Sequence, residues 1–345
     1  VLFHGLGKVS SQGFFIWRSS LLFCIKENTQ MIEEIHKPIT ITPNFYQLGT
    51  HDFPVYLSMG DDGMIIEGGT GAFFPLIVEQ IKSLGIAPER IKYLTLTHTH
   101  PDHIGAVPHL KKLWPHLKVM GSAGAAKALK RLSEKPEALK EFLAADKAIS
   151  MIRLHKGEIS ELPKELDHYV FDVDHVLEEG EDIKLSKDII WSVYHTPGHS
   201  PCHIALNDEN EGTLVIGDAT GFYVADKNAL WPNYFESLEN YCHSIQKLST
   251  LPADRLVLSH NGVVSTGARA YFEKVMKVTE AYHTEMLERV TNGEDIEKIA
   301  TDKAQWVNSI TDIQTYDVMF NMAKLLIRRS HTASKKHNLF TLPYA

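Results

Sequence analysis

The chain has 345 residues, 43% of them hydrophobic and 23% charged, with a net charge of −8. That is the composition of a globular chain, long enough for one large domain or two ordinary ones. The acidic balance and the lack of any Lys/Arg block argue against a nucleic-acid groove, and no run of 18 apolar residues is present to span a bilayer. Cys24, Cys202 and Cys242 are too few and too scattered for a disulfide framework or a CxxC zinc site; they fit a reducing, cytoplasmic compartment. The count that stands out is 19 histidines.

Residues 1–30 read as a leader or appendage, because Arg18, Ser19 and Ser20 interrupt the apolar stretch. Short strands are expected at Ile39–Ile41, Tyr46–Leu48, Val55–Met59 and Met64–Glu67, with Gly60-Asp61-Asp62-Gly63 as a hairpin turn. A helix over Phe74–Leu84 stops at Gly85, a strand follows over Ile91–Thr97, and a helix over Ile104–Leu113 precedes a short strand at Lys118–Gly121. Residues 123–153 read as two helices broken near Pro136. A second strand series is expected at Tyr169–Phe171, Asp182–Leu185, Ile189–Tyr194, His203–Leu206 and Thr213–Ile216, then a helix over Tyr234–Leu248 and a strand at Leu256–Leu258. From Ala268 onward only helices are expected, near 268–292, 294–308 and 314–330. Two strand-rich halves with helices outside them predict a layered α/β architecture. The reading divides the chain into the leader at 1–30, a catalytic domain at 31–265 and a helical extension at 266–345 packed on the core.

The segment Leu94–Gly105, LTLTHTHPDHIG, carries the chemistry. An apolar strand leads into His98 and His100, whose alternate spacing sends both side chains to one side, and Asp102 and His103 follow at the turn into a helix. Four ligand-type residues within six positions suit two adjacent metals better than one. Three further strands end in a ligand-type residue beside a Gly: Thr196-Pro197-Gly198-His199, Gly217-Asp218 and Ser259-His260-Asn261-Gly262. That pattern suggests a site assembled from loops on one edge of a sheet sandwich. His195 and His203 flank the His199 turn as candidates for orienting ligands or substrate. His109, His116, His155, His168 and His175 lack partner spacing and read as structural.

Taken together, T-H-x-H-x-D-H, T-P-G-H, G-D and a late S-H resemble the metallo-β-lactamase-fold hydrolase superfamily, over roughly residues 40–265. The resemblance implies an αββα sandwich of two mixed sheets flanked by helices. It also implies two divalent metals, with Zn first and Fe or Mn open. His98, His100 and His199 would bind the first metal. Asp102, His103 and His260 would bind the second, and Asp218 would bridge the two. A bridging hydroxide, oriented by Asp102, would attack an ester-like carbonyl or a phosphorus centre. Two departures from the family pattern stand out. Glu67 occupies a position that is often Asp and mainly structural, and Ser259 precedes His260 where Gly is common.

The segment Thr220–Phe235 is rich in aromatics, and Tyr223 and Trp231, with His195, are candidate walls of a substrate pocket. The helical extension and Gly217–Tyr223 resemble the branch containing the quinolone-response effector and related small ester or thioester hydrolases. The leading expectation is hydrolysis of a small ester, thioester or lactone. The alternatives are a phosphodiesterase or ribonuclease of the same fold and a regulatory protein that keeps its metals. A glyoxalase II role ranks lower for want of a basic C-terminal motif. A flavodiiron role is disfavoured by His100, where those proteins typically carry Glu, and by the lack of a following flavodoxin-like pattern. A homodimer through the amphipathic tail is a further expectation.

Overall fold

The computed structural model describes residues 36–340, so the leader expected at 1–30 lies outside the described residues. The chain opens with β1 (Ile39–Thr42), β2 (Phe45–Gly49), β3 (Pro54–Met59) and β4 (Gly63–Ile66), and continues through α1 (Phe74–Ser83) to β5 (Ile91–Thr95). Next come α2 (Pro101–Ile104), α3 (Val107–Leu113), β6 (Lys118–Gly121), α4 (Ala123–Glu134), α5 (Pro136–His155) and β7 (His175–Val176). The second half holds β8 (Asp182–Lys184), β9 (Ile190–His195), β10 (Ile204–Asp208), β11 (Thr213–Gly217) and the hairpin of β12 (Phe222–Val224) and β13 (Ala229–Trp231). It closes with α6 (Leu238–Ser249), β14 (Arg255–Leu258), β15 (Val263–Val264), α7 (Ala268–Thr291), α8 (Ile296–Ile310) and α9 (Tyr316–Thr332).

One sheet is ordered β1-β2-β3-β4-β5-β6-β7 and the other β15-β14-β11-β10-β9-β8. Both are mixed: β4, β5, β6 and β7 run parallel, as do β11 and β14, while the hairpin-linked strands are antiparallel. Along a strand, successive side chains face opposite ways, and here both faces are apolar. Met64 and Ile66 face the inter-sheet core, whereas Ile65 faces the helices. Phe45 stacks on Tyr56 at 5.5 Å and leans on Trp191 at 5.5 Å, and the Trp191 Nε1–H donates to Ser58 Oγ at 3.0 Å. Each such fully buried large side chain contributes about 1.5–3 kcal/mol, so the sandwich holds its strand ends firmly. The result is an αββα sandwich with a helical C-terminal segment. Among the described residues no helix is long and apolar enough to cross a membrane.

The three C-terminal helices fall where the sequence places them and dock on the second half. Tyr271 Oη lies 2.8 Å from Thr220 Oγ1, Tyr234 Oη lies 2.8 Å from Ser330 Oγ, and Arg329 Nε donates to the Phe235 carbonyl at 2.9 Å.

Three local expectations need correction. The helix expected over Ile104–Leu113 is split into α2 and α3, because Pro108 has no N–H to give the Ile104 carbonyl. No strand forms over Tyr169–Phe171: Tyr169 packs on the His109 ring and Phe171 enters the core, which uses the apolar alternation without a ladder. The helix expected from Tyr234 begins at Leu238, where Ser237 Oγ caps it by accepting from Asn240 N–H. The aromatic segment after Asp218, to which the sequence assigns no element, forms the hairpin β12–β13.

Candidate metal centre

All seven ligand-type residues gather at one edge of the sandwich. β5 ends at Thr95, and the chain then carries Thr97 to His100 across the edge before Pro101 starts α2 with its ring at the first helical position. That puts Asp102 and His103 in a helical turn directly below His98 and His100. The other donors come from the ends of β9, β11 and β14. Gly198 makes the first of these turns with φ +127°, and an added Cβ would sit 2.2 Å from Tyr241 N. After His260, Asn261 and Gly262 take φ of +62° and +78°, a tight left-handed pair that only residues such as Asn and Gly adopt readily. The Tyr56 hydroxyl reaches across from β3 to the Leu258 carbonyl at 2.7 Å and anchors this turn.

The donors form two triads. His98 Nε2 and His199 Nε2 lie 3.0 and 3.1 Å from His100 Nδ1. Asp102 Oδ2 lies 3.6 Å from both His103 Nε2 and His260 Nε2. Between them Asp218 Oδ2 stands 3.4 Å from His103 and His199 and 3.7 Å from His98 and His260. His98 is fully buried, and Asp102 is the more open of the two carboxylates, at 14% side-chain exposure against 5% for Asp218. Solvent therefore reaches the cluster on the Asp102 side.

Hydrogen-bond partners on the outer nitrogens set the tautomers. His199 Nδ1 donates to the Asn233 carbonyl at 3.0 Å and His260 Nδ1 to the Asp52 carbonyl at 2.9 Å. A carbonyl can only accept, so both Nε2 atoms present lone pairs inward. The Thr97 hydroxyl gives its proton to Glu67 Oε1 at 2.5 Å, so its oxygen accepts from His98 Nδ1–H at 3.0 Å, and His98 Nε2 is also a lone pair. His103 Nδ1–H donates to Glu67 Oε2 at 2.8 Å.

Electrostatics divide the buried histidines into two kinds. Burial, and then the neighbouring imidazoles, hold His98 well below the usual histidine range; burial dominates at His199 as well, so both are neutral near pH 7. At His103 burial pulls down, but the carboxylates of Asp102 and Glu67, with Asp218, more than offset it and hold the imidazole well above its ordinary value. Burial pushes Asp218 up, yet His260, His103 and His199 outweigh that and hold it well below the carboxylate range.

Converging lone pairs and two carboxylates are mutually repulsive unless a cation lies among them, and imidazole and carboxylate are the ligands borderline divalent metals take. The donor set therefore fits divalent metal ions. Each histidine apart from His100 is also oriented through its second nitrogen, as ligating histidines usually are.

Glu67 is the residue whose role the sequence only half shows. It is buried, takes φ +73°, and its carboxylate is held by Thr97, His103 and Ser259, whose hydroxyl donates at 2.7 Å. The two positions that depart from the family pattern thus meet, with Ser259 supplying a donor to Glu67. A non-glycine residue in the left-handed region is costly and persists where its surroundings hold it.

The expected pocket residues are not brought to the cluster. His195 binds the Leu177 carbonyl through Nε2 at 3.0 Å. Tyr223 meets the Tyr271 ring edge-on at 5.3 Å under Lys274, and Trp231 packs behind Phe235 at 6.0 Å. The rings against the histidines are instead Phe235 on His199 at 5.4 Å, and Phe222 and Phe53 on His260 at 5.4 and 5.1 Å. His203 does not join the donors either. It donates from Nδ1 to Thr196 and accepts the Asp218 N–H at Nε2, which holds the Asp218 turn. A cavity of about 630 Å³ lies alongside, lined by His51, Asp52, Lys227, Asn261 and Asp312 among others, and none of the seven donors lines it.

The family model described as "Metallo-beta-lactamase superfamily" matches residues 55–260, a span that includes all seven donors. The chain is 26% identical over 216 residues to "Probable metallo-hydrolase YflN" of Bacillus subtilis (strain 168), covering 59% of this chain and 76% of that protein. It is 42% identical over 72 residues to an atrochrysone carboxyl ACP thioesterase of Pseudocercospora fijiensis, covering 20% of each, and 34% identical over 91 residues to ribonuclease J of Mycolicibacterium smegmatis, covering 26% and 15%. Several of the matches to curated relatives are partial, spanning from 14% to 56% of those proteins' own lengths. A solved metallo-beta-lactamase family protein of Thermus thermophilus superposes with TM-score 0.56 at 22% identity, over 86% of this chain and 91% of that one, a likeness of fold.

Proposed function

Because the chain belongs to the metallo-beta-lactamase superfamily, whose members are in general metal-dependent hydrolases, we propose that it hydrolyses a small ester, thioester or lactone with two divalent metal ions. One triad, His98, His100 and His199, would hold the first ion; Asp102, His103 and His260 would hold the second, with Asp218 between them. The observation that carries this reading is the convergence of the inward nitrogens and of Asp218 Oδ2 within 3.7 Å of four imidazoles. Ions bound there supply Lewis acidity and lower the pKa of water.

The chain's own residues supply the rest. Asp102, at the solvent-facing side, is placed to accept a proton from an attacking water and to orient it. Glu67 keeps the His103 ring fixed, and the Asn233 and Asp52 carbonyls do the same for His199 and His260. Phe53 and Phe222, both buried, pack against His260 and shed water from its flank, and the half-buried Phe235 against His199 offers apolar contact to a small organic substrate.

The acidic balance of the chain supports a small substrate of low charge over a polyphosphate backbone. The short match to a thioesterase is in keeping with it, and the match to ribonuclease J makes phosphodiester cleavage the reading to test against. Metal analysis of the purified chain, with thioester, lactone and phosphodiester substrates in one panel, is the deciding experiment. The expected result is two metals per chain and turnover of a thioester, ester or lactone. Turnover of phosphodiesters alone would overturn the substrate class; one metal or none after reconstitution would overturn the dinuclear centre.

A further inference from the structure

We propose that Arg153 is a positioning residue for the second donor triad, acting on His260 through the turn at Asp52 and Phe53. The inference rests on the dinuclear reading, since it concerns how one of two metal positions is held.

Arg153 lies in the last turn of α5 with its side chain completely buried. One guanidinium nitrogen donates to Asp52 Oδ2 at 3.1 Å and Glu158 Oε1 at 3.0 Å; the other donates to the Asp312 and Ile313 carbonyls at 3.2 and 3.4 Å. The guanidinium carbon sits 5.1 Å from the centre of the Phe53 ring. On the other side of the same two residues lies His260. The Asp52 carbonyl accepts its Nδ1–H at 2.9 Å, and the Phe53 ring meets its imidazole edge-on at 5.1 Å and 82°. Asp52 and Phe53 thus each touch both Arg153 and His260.

Phe53 is buried against Phe73 at 5.9 Å and Gly49 pairs with Pro54 at the base of the turn, but neither contact fixes the Asp52 carbonyl. The turn's own bonds, Thr50 N–H to the Phe53 carbonyl at 3.3 Å and Phe53 N–H to Thr50 Oγ1 at 3.2 Å, are long. A buried guanidinium is costly unless its donors are matched. Here both terminal nitrogens are matched from three separate chain segments and only Nε lacks a hydrogen-bond partner among the described residues, so the group acts as a peg that fixes where those segments meet. Because the ring of His260 takes its direction from the Asp52 carbonyl, a displaced turn re-aims Nε2 away from Asp102 and Asp218. The first triad has no part in this chain of contacts: His98 is set by Thr97 and His199 by Asn233. The α8–α9 connection, through Asp312 and Ile313, shares the peg, so the C-terminal helices reach the second metal position through Arg153, whereas they reach the first through Tyr234 and Phe235.

The test is stepwise metal affinity. Zn²⁺ is titrated into chelator-stripped protein against a chromophoric competitor, for wild type, Arg153→Met, Asp52→Asn and the double variant. Outer partners of ligating histidines are worth about 10–100-fold in affinity; acting one residue further out, each single variant is expected to weaken the second constant by about tenfold and leave the first unchanged. The double variant is expected to do no more than either single one. Lys156→Ala, which removes only the ion pair from α5 to the Asp312 carboxylate, is expected to leave both constants alone. Should Arg153→Met fail to fold, Asp52→Asn decides, since it keeps the backbone and volume of the turn. Two constants unchanged in Asp52→Asn, or both falling together, would overturn the positioning role. A wild-type chain that takes up a single Zn²⁺ would overturn it by removing the dinuclear reading itself, and that outcome is visible before any variant is made.

Discussion

The two donor triads use nearly the same residue types but are held by different means. In the first triad His98 and His199 are steered by neutral groups: a threonine hydroxyl one residue before His98 and a backbone carbonyl 34 residues after His199. The second triad depends on charge and on distance in sequence. His103 is fixed by the buried carboxylate of Glu67, 36 residues away, and His260 by a turn 208 residues away that Arg153 clamps. The first triad leans on one adjacent hydroxyl and one uncharged carbonyl that the fold brings up. Remote, ionic steering makes the second a property of the assembled fold, and so the more sensitive to changes that touch no ligand.

The harshest way to test this contrast is to remove what the triads share. Asp218→Ala deletes the carboxylate that faces four imidazoles and is expected to lower turnover on the order of 10³-fold with loss of both metals, read by metal analysis and steady-state kinetics. Retention of both metals would show that the triads stand without it.

Gly198→Ala attacks the first triad alone. The added Cβ would meet Tyr241 N at 2.2 Å at a φ of +127°, so a loss of about 3 kcal/mol in unfolding free energy is expected, measured by denaturant melts of the metal-free chain. The loop bearing His199 should shift, weakening the first metal constant while the second persists.

Glu67→Gln is aimed at the second triad. Gln cannot accept from Thr97, His103 and Ser259 with a full charge, and a drop of about 10–100-fold in the second metal constant is expected from calorimetric titration, with a smaller loss at the first through Thr97 and His98. Equal losses at both constants would erase the distinction between the triads.

The smallest effect concerns Asp146 on α5, which receives the Gly71 N–H at 2.8 Å. Burial pushes its carboxyl up to about 7, against the Gly71 bond, with Asp102 adding to the rise. The folded chain therefore keeps a proton that the unfolded chain releases near its ordinary value of 3.8. The resulting stability is present below about pH 4 and is lost as the pH climbs to about 7. Asp146→Asn in the metal-free protein is expected to be neutral near pH 4 and stabilising by about 1–2 kcal/mol at about pH 8, seen as a pH-dependent difference in melting temperature. A pH-independent difference would mean that Asp146 is ionised throughout.

Much of this architecture is legible in the sequence. The apolar strand running into His98, the Pro-Gly turn before His199 and the Gly flanking Asp218 are local signals, because strand alternation, proline and glycine restrict the backbone within a few residues. The helices at Ala123–Glu134 and Pro136–His155 and the three after Ala268 are equally legible, since their apolar spacing, Pro136 and caps all act at short range. Where the local signals mislead, competition between segments is at work. Tyr169 and Phe171 have the alternation of a strand but find packing partners instead, and Tyr223 and Trp231 look like pocket walls but pack on Tyr271 and behind Phe235.

Short-range chemistry in the chain thus specifies which residues can bind a metal and at which strand ends they stand. Which nitrogen of each imidazole faces inward is a different kind of fact. It depends on the Asn233 and Asp52 carbonyls, which every residue possesses and no sequence pattern marks, and on Arg153 and Glu67, which reach the site from distant segments. A backbone carbonyl acquires its role only from where the fold puts it, and for that reason the orientation of the centre was decided by tertiary packing alone.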